Sequence, residues 1–168
     1  MNTKWFLGAG LIVLVLAMPS NAAAPPPNVV LILADDLGWW DLGCYGSVFH
    51  ETPHLDRLAA QGMRFTDAYA ACNCCSPTRA SILTGKYPAR LHVTDWIPGT
   101  NFPTAKLRPP AWLQHLPPDE VTLAEALKAA GYATAAVGKW HLGREPFLPQ
   151  GQGFDVNVGG ADIGHTES

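Results

Sequence analysis

No cluster of Lys and Arg in this chain is dense enough to form a basic stripe. Its 168 residues carry 11 Lys+Arg against 14 Asp+Glu, a formal net charge of -3, which removes the usual electrostatic basis for binding nucleic acid or an anionic membrane. An anionic substrate would have to be held by a few placed cations. Internal repeats and low-complexity tracts are also missing, and 48% hydrophobic residues is the composition of a globular chain long enough for one domain with a core. Cysteine is sparse. Of the four, Cys72, Cys74 and Cys75 fall within four residues and Cys44 stands apart, poor geometry for the three to bridge to one another. The Cys-x-Cys-Cys run is not followed by the second Cys or His pair that zinc sites show, which argues against a zinc or cluster site.

The amino-terminal apolar run, Trp5 to Met18, is shorter than the roughly 20 residues a spanning helix needs. Lys4 precedes it and Ser20-Asn21-Ala22 follows with small residues for cleavage, the pattern of a secretory leader. Residues 1 to 24 are therefore read as a signal peptide and residues 25 to 168 as the folded part. The protein is expected to be exported, periplasmic or secreted, without stable membrane insertion once the leader is cleaved. A retained anchor is the rival reading, because Ala22-Ala23-Ala24 before Pro25 leaves the cleavage point open.

After the Pro25 to Pro27 linker, Val29 to Ala34 is an apolar run without alternation, the signature of a parallel strand covered on both faces. Asp35 and Asp36 would then sit at a carboxyl edge of the sheet, where open α/β folds bind ligands. Thr52-Pro53 predicts the start of a helix that carries Leu55, Leu58 and Ala59 on one face and stops at Gly62. A second strand is expected over Met63 to Ala68. Thr122 and Glu125 form a Thr-x-x-Glu capping box, Leu123, Leu127 and Ala130 keep helical spacing, and Gly131 precedes a strand over Tyr132 to Val137. Between Pro88 and Pro118 no period persists, which predicts a long surface excursion lining a cleft, with Trp96 and Trp112 packed in it in preference to stacking on a sugar ring, the other use open to them. Alternating strands and helices argue an α/β fold with a mostly parallel sheet flanked by helices. So few strands suggest that the sheet is incomplete in this chain.

Cys75-Ser76-Pro77-Thr78-Arg79 carries the most specific chemistry. Ser76 fits a helix N-cap and Pro77 the first helical position, with the helix running to Gly85, so Cys75 would lie beside exposed helix-start amides where an anion is welcome. By residue chemistry alone, Cys75 could equally be a buried or bridged thiol before a capped helix, and Arg79 a surface charge. Asp35 and Asp36 could cap a neighbouring helix. Lys139 and His141, two apart, could form an exposed polar edge.

The string Cys-x-Pro-x-Arg, continued here through Ala80 to Gly85, resembles the signature of the type I sulfatases of the alkaline phosphatase-like superfamily. Asn28 to Gly38, Thr52 to Ala70, Gly138-Lys139-Trp140-His141-Leu142-Gly143 and Gly153-Phe154-Asp155 are similar to further blocks of that family, in the same order. Residues 25 to 168 are thereby identified as the amino-terminal part of a sulfatase catalytic domain. The resemblance implies hydrolysis of sulfate monoesters, sulfated glycans being one class, through a formylglycine made from Cys75 by a formylglycine-generating or sulfatase-maturating enzyme. The hydrated aldehyde would attack sulfur and later expel sulfate. By the same resemblance Arg79 would hold the modified side chain, Lys139 and His141 would bind sulfate or assist proton transfer, and Asp35, Asp36 and modified Cys75 would ligate Ca2+. The family draws further ligands from sequence downstream of residue 168, so this chain alone is expected to be inactive. A phosphate or phosphonate monoester hydrolase of the same superfamily and a non-functional exported fragment are the alternatives.

Overall fold

A computed structural model of the chain describes residues 24–100, 103–162 and 164. The expected leader therefore lies outside the described residues, apart from Ala24. No described helix is long and apolar enough to cross a membrane. Residues 24–34 belong to a unit separate from Asp35 onward. Within that unit Val29 to Ala34 forms no strand, and Val30 and Ile32 are 83% and 82% exposed. The expected first strand is thus not formed. An apolar run becomes a strand only when neighbours take up its backbone donors and acceptors, and no described strand pairs with this one.

The second unit is α/β in character. Its helices are α1 (Pro53–Gln61), α2 (Cys75–Thr84), α3 (Pro88–Leu91) and α4 (Leu123–Ala129). Two strands, β1 (Ala135–Val137) and β2 (Val156–Val158), pair in parallel with Ala135 opposite Val156 and Val137 opposite Val158. The predicted strand over Tyr132 to Val137 is shortened to its last three residues. Met63 to Ala68 is not a strand either; Met63 and Phe65 are exposed.

Local signals fare better. Helix α1 begins at Pro53 after Thr52 and stops at Gly62 as expected, although the Thr52 hydroxyl accepts from Gly43 N (2.8 Å) and donates to Asp56 (2.9 Å) instead of capping. The capping box of α4 is complete: Glu125 N donates to Thr122 Oγ1 (3.2 Å) and Thr122 N to Glu125 Oε2 (2.7 Å). At its other end Gly131, at φ 88, lets Tyr132 N reach back to Leu127 O (3.1 Å), which satisfies an orphan carbonyl.

The core corrects another expectation. Ala80, Leu91, Val93, Leu116, Trp140 and Leu142 are buried together, with Leu83, Leu113, Leu148 and Phe154 packed around them. Leu91, Val93 and Leu116 come from the stretch read as a surface excursion. That stretch is threaded inward: Leu113 N donates to His92 O (2.7 Å), Leu116 N to Leu142 O (3.0 Å), and Gln152 Nε2 to Leu116 O (3.1 Å). A segment without regular structure can be buried when its peptide groups find such partners.

Candidate active site

The signature helix starts earlier than the sequence suggests. Its N-cap is Cys74, so Cys75, Ser76 and Pro77 occupy the first three helical positions rather than Ser76 capping and Pro77 leading. Proline is tolerated there because first-turn amides have no intrahelical acceptor. Ser76, freed from capping, is fully buried, and its hydroxyl accepts the Ile97 N–H at 3.0 Å. Gly85 ends the helix in the left-handed region at φ 69, as expected.

Residues 139 to 141 follow the carboxyl end of β1. Lys139 Nζ pairs with Asp35 Oδ2, and Arg79 Nη2 stands 3.7 Å from the same oxygen. Arg79 Nη1 also donates to Lys139 O at 2.6 Å. One guanidinium thus ties the signature helix, the 139 backbone and Asp35 together. Partial burial raises the Asp35 pKa, but the hydrogen bond from Lys139 and the charges of Lys139 and Arg79 outweigh it and hold the carboxyl below its ordinary value. Asp36, the next residue, is exposed and adopts φ 56.

His141 is not on an exposed edge. It is 2% exposed and left-handed at φ 60, and its Nε2 meets the Ile97 carbonyl. A carbonyl only accepts, so Nε2 carries the proton and Nδ1 holds the lone pair of the neutral ring. Among the described residues Nδ1 is buried without a partner. Burial pushes the imidazole pKa down and the nearby charges of Lys139 and Arg79 push it further, against the Ile97 hydrogen bond and Asp35.

Cys75, Lys139 and His141 line one cavity of about 820 Å³, within the usual range for small-molecule sites. Its other walls include Trp96, Ile97, His115, Arg144 and Phe147. These were not singled out as site residues from sequence, although the stretch carrying three of them was expected to line a cleft. His115 and Phe147 stack at 3.8 Å and 12°, and Arg144 Nε pairs with Asp162 at 2.5 Å. Lys86, close to the signature in sequence, instead pairs with Glu120. All four cysteines are free thiols. Burial, then the contact with Cys72, pushes the Cys74 thiol up to about 12, so it stays protonated and a poor nucleophile at ordinary pH.

The six expected residues are thus joined as follows. Asp35, Arg79 and Lys139 form one ion-paired group, and Lys139, Cys75 and His141 share the cavity. Asp36 is brought there only by its bond to Asp35.

A sulfatase family model matches residues 27–165. The chain belongs to the sulfatase family. It is 49% identical to human arylsulfatase A over 150 residues, 87% of this chain and 28% of that protein. To pig N-acetylgalactosamine-6-sulfatase it is 46% identical over 155 residues, 91% of this chain and 28% of that one. The crystal structure of Ps i-CgsB in complex with k-i-k-neocarrahexaose superposes with a TM-score of 0.66 at 38% identity, covering 77% of this chain and 27% of that chain. The fold is that of the sulfatases, and the chain spans little more than a quarter of the length of these relatives.

Family membership implies a metal, which the residues present can be tested against. Asp35 and Asp36 offer the hard oxygens that Ca2+ prefers, but two carboxylates fall short of its roughly 6 to 8 ligands. The oxygen of Asp35 that faces the site is already engaged by Lys139 and Arg79, and no group of three or more His, Cys, Asp or Glu is arranged for a metal among the described residues. These residues alone do not make a calcium site.

Proposed function

We propose that the full-length protein hydrolyses sulfate monoesters, with residue 75 as the nucleophile. The observation that supports this best is that Cys75, Lys139 and His141 line one cavity at the first turn of a helix, where unpaired amides favour an anion. Oxidised to formylglycine by a maturating enzyme, residue 75 would supply a hydrated aldehyde for displacement at sulfur. The side chains around it have separable tasks. Lys139 places a cation against the sulfate oxygens, and Arg79 fixes the Lys139 backbone from the helix side. His141, neutral and with an Nδ1 lone pair that has no partner among the described residues, accepts a proton from the attacking hydroxyl and returns one to the leaving alcohol. Asp35 and Asp36 are proposed as two ligands of a Ca2+ completed by the rest of the protein.

The substrate class proposed is sulfated glycans, on the strength of relatives whose names specify a sugar sulfate or a bound neocarrahexaose and of the aromatic walls of the cavity. The leader pattern over residues 1 to 24 supports export to the periplasm or the outside. Parallel assays on aryl sulfate and aryl phosphate test the reaction class: turnover confined to the sulfate is expected, and a preference for phosphate overturns the proposal. Peptide mass spectrometry should find an aldehyde at residue 75. Cys75→Ala should abolish turnover while Cys72→Ala and Cys74→Ala retain it, and loss in all three would mean that residue 75 has no special role.

A further inference from the structure

Ser76 has no task in the scheme above, yet it is fully buried beside the nucleophile position. Its hydroxyl accepts the Ile97 N–H at 3.0 Å. The other polar group of Ile97, its carbonyl, receives Nε2–H of His141. One residue thus links the second position of the signature helix to the imidazole, through the two ends of its own backbone. The ring is held on two further sides. Trp96 lies tilted against it, with centroids 6.5 Å apart, and a Cβ on Gly164 would stand 3.1 Å from Cε1 and 3.5 Å from Nδ1. Gly164, which also lines the cavity, thus stands over the edge of the ring that carries Nδ1.

We propose that Ser76 is a positioning residue for His141: by fixing Ile97 it selects the Nε2–H tautomer and leaves Nδ1 as the ring's basic atom. Three features support this over a purely structural hydroxyl. The Nε2 contact is to a carbonyl, which cannot donate and so admits one neutral tautomer only. Nδ1 is buried without a partner among the described residues, so no other hydrogen bond fixes the tautomer. The Ile97 amide has the Ser76 hydroxyl as its acceptor, so removing that oxygen leaves a buried N–H unpaired, and the Ile97 peptide would rotate or shift to repair it. A shift of about 1 Å at such a support is enough to lower a rate by on the order of 10²-fold. The inference rests on the sulfatase reading for its rate effect and on geometry alone for the tautomer.

The test uses full-length protein labelled with 15N-histidine, with His141→Asn to assign the resonance, and turnover of aryl sulfate normalised to the aldehyde content of residue 75. The normalisation separates positioning from altered maturation. Wild type should show a single neutral tautomer protonated at Nε2. Ser76→Ala should show a tautomer mixture or the Nδ1–H form, with kcat lowered on the order of tenfold to 10²-fold and KM within about twofold. Ser76→Thr, which keeps the β-hydroxyl, should restore both readings. Should Ser76→Ala not fold, Ser76→Cys preserves volume while weakening the acceptor and is read by the same two measurements. An unchanged Nε2–H tautomer with unchanged kcat in the variant overturns the proposal, as does Nδ1–H in the wild type. Tautomer loss in Ser76→Ala, with no sulfate ester turned over even by the wild type, supports the positioning role and removes the sulfatase reading.

Discussion

Arg79 is the joint on which the site depends, and replacing it by methionine measures how much. The change keeps an unbranched side chain of similar reach while removing the charge and the fork. Lost first is the 2.6 Å hydrogen bond to Lys139 O, a charge-assisted bond worth about 1.5 to 3 kcal/mol. The attraction to Asp35 across 3.7 Å adds less, because that carboxylate side chain is 36% exposed and solvent screening leaves such pairs at most about 1 kcal/mol. Against these stands Arg79 Nε, buried without a partner among the described residues, whose removal returns about 1 to 3 kcal/mol. The balance is a destabilisation of about 1 kcal/mol. It should be concentrated at residues 139 to 142. Hydrogen exchange of the full-length protein is the sharper assay, since His141 N donates to Ala161 O at 3.1 Å and its protection reports whether the segment stays docked. Denaturant unfolding followed by tryptophan fluorescence gives the global figure, with buried Trp140 inside the affected segment. Arg79→Lys should recover less than half of the loss, because a point charge cannot serve a carbonyl and a carboxylate as the fork does. Stability within about 0.5 kcal/mol of wild type and unchanged protection at 139 to 142 in Arg79→Met would refute the reasoning.

Three other outcomes are expected. Thr122→Ala removes an acceptor for Glu125 N and a donor to Gln152 O at 2.8 Å, and should cost about 2 to 3 kcal/mol in thermal or urea unfolding, with Thr122→Ser restoring most of it. Gly143→Ala must hold φ 116 and would bring a Cβ within 2.6 Å of His115 Cβ and 3.0 Å of Phe147 Cβ, so a loss of about 2 kcal/mol or more and disturbance of that cavity wall should appear as a lowered Tm. The hydrogen bond from Lys128 and then the Thr134 N–H lower the Asp155 pKa. A carboxyl with a folded pKa below its unfolded value contributes stability above the ordinary carboxylate range and loses it as pH falls through the folded pKa. Urea midpoints taken from neutral to acidic pH should therefore fall less steeply in Asp155→Asn than in wild type, and parallel curves would count against it.

What could be read from the sequence follows the range of the interactions involved. Helices α1 and α4 were legible because Thr52-Pro53 with Gly62, and Thr122 with Glu125 and Gly131, specify their ends within a few residues. The run Val29 to Ala34 was misleading as a description of this chain, since whether it becomes a strand depends on neighbours that its own residues do not encode. Ser76 was misplaced by two positions for a related reason: its hydroxyl answers to Ile97, 21 residues away, rather than to its own helix. The burial of Leu91, Val93 and Leu116 was hidden because a segment packed without a period gives no pattern to count. At the site, the resemblance supplied Asp35, Cys75, Arg79, Lys139 and His141. The Ile97 carbonyl was invisible, since a backbone acceptor looks the same at every position.

The links within the site have a kinetic meaning. Its defining contacts join residues 104, 60 and 44 positions apart, namely Lys139 with Asp35, Arg79 with Lys139 O, and His141 with Ile97 O, whereas the α4 capping box spans three. Closing long loops costs entropy before any contact rewards it, so the helices should form early and the site should lock last. Contacts absent from the folding transition state act on the unfolding rate. Variants at Arg79 or Ser76 should therefore refold about as fast as the parent protein and come apart sooner, so that the lifetime of the assembled site, more than its formation, is what these side chains govern.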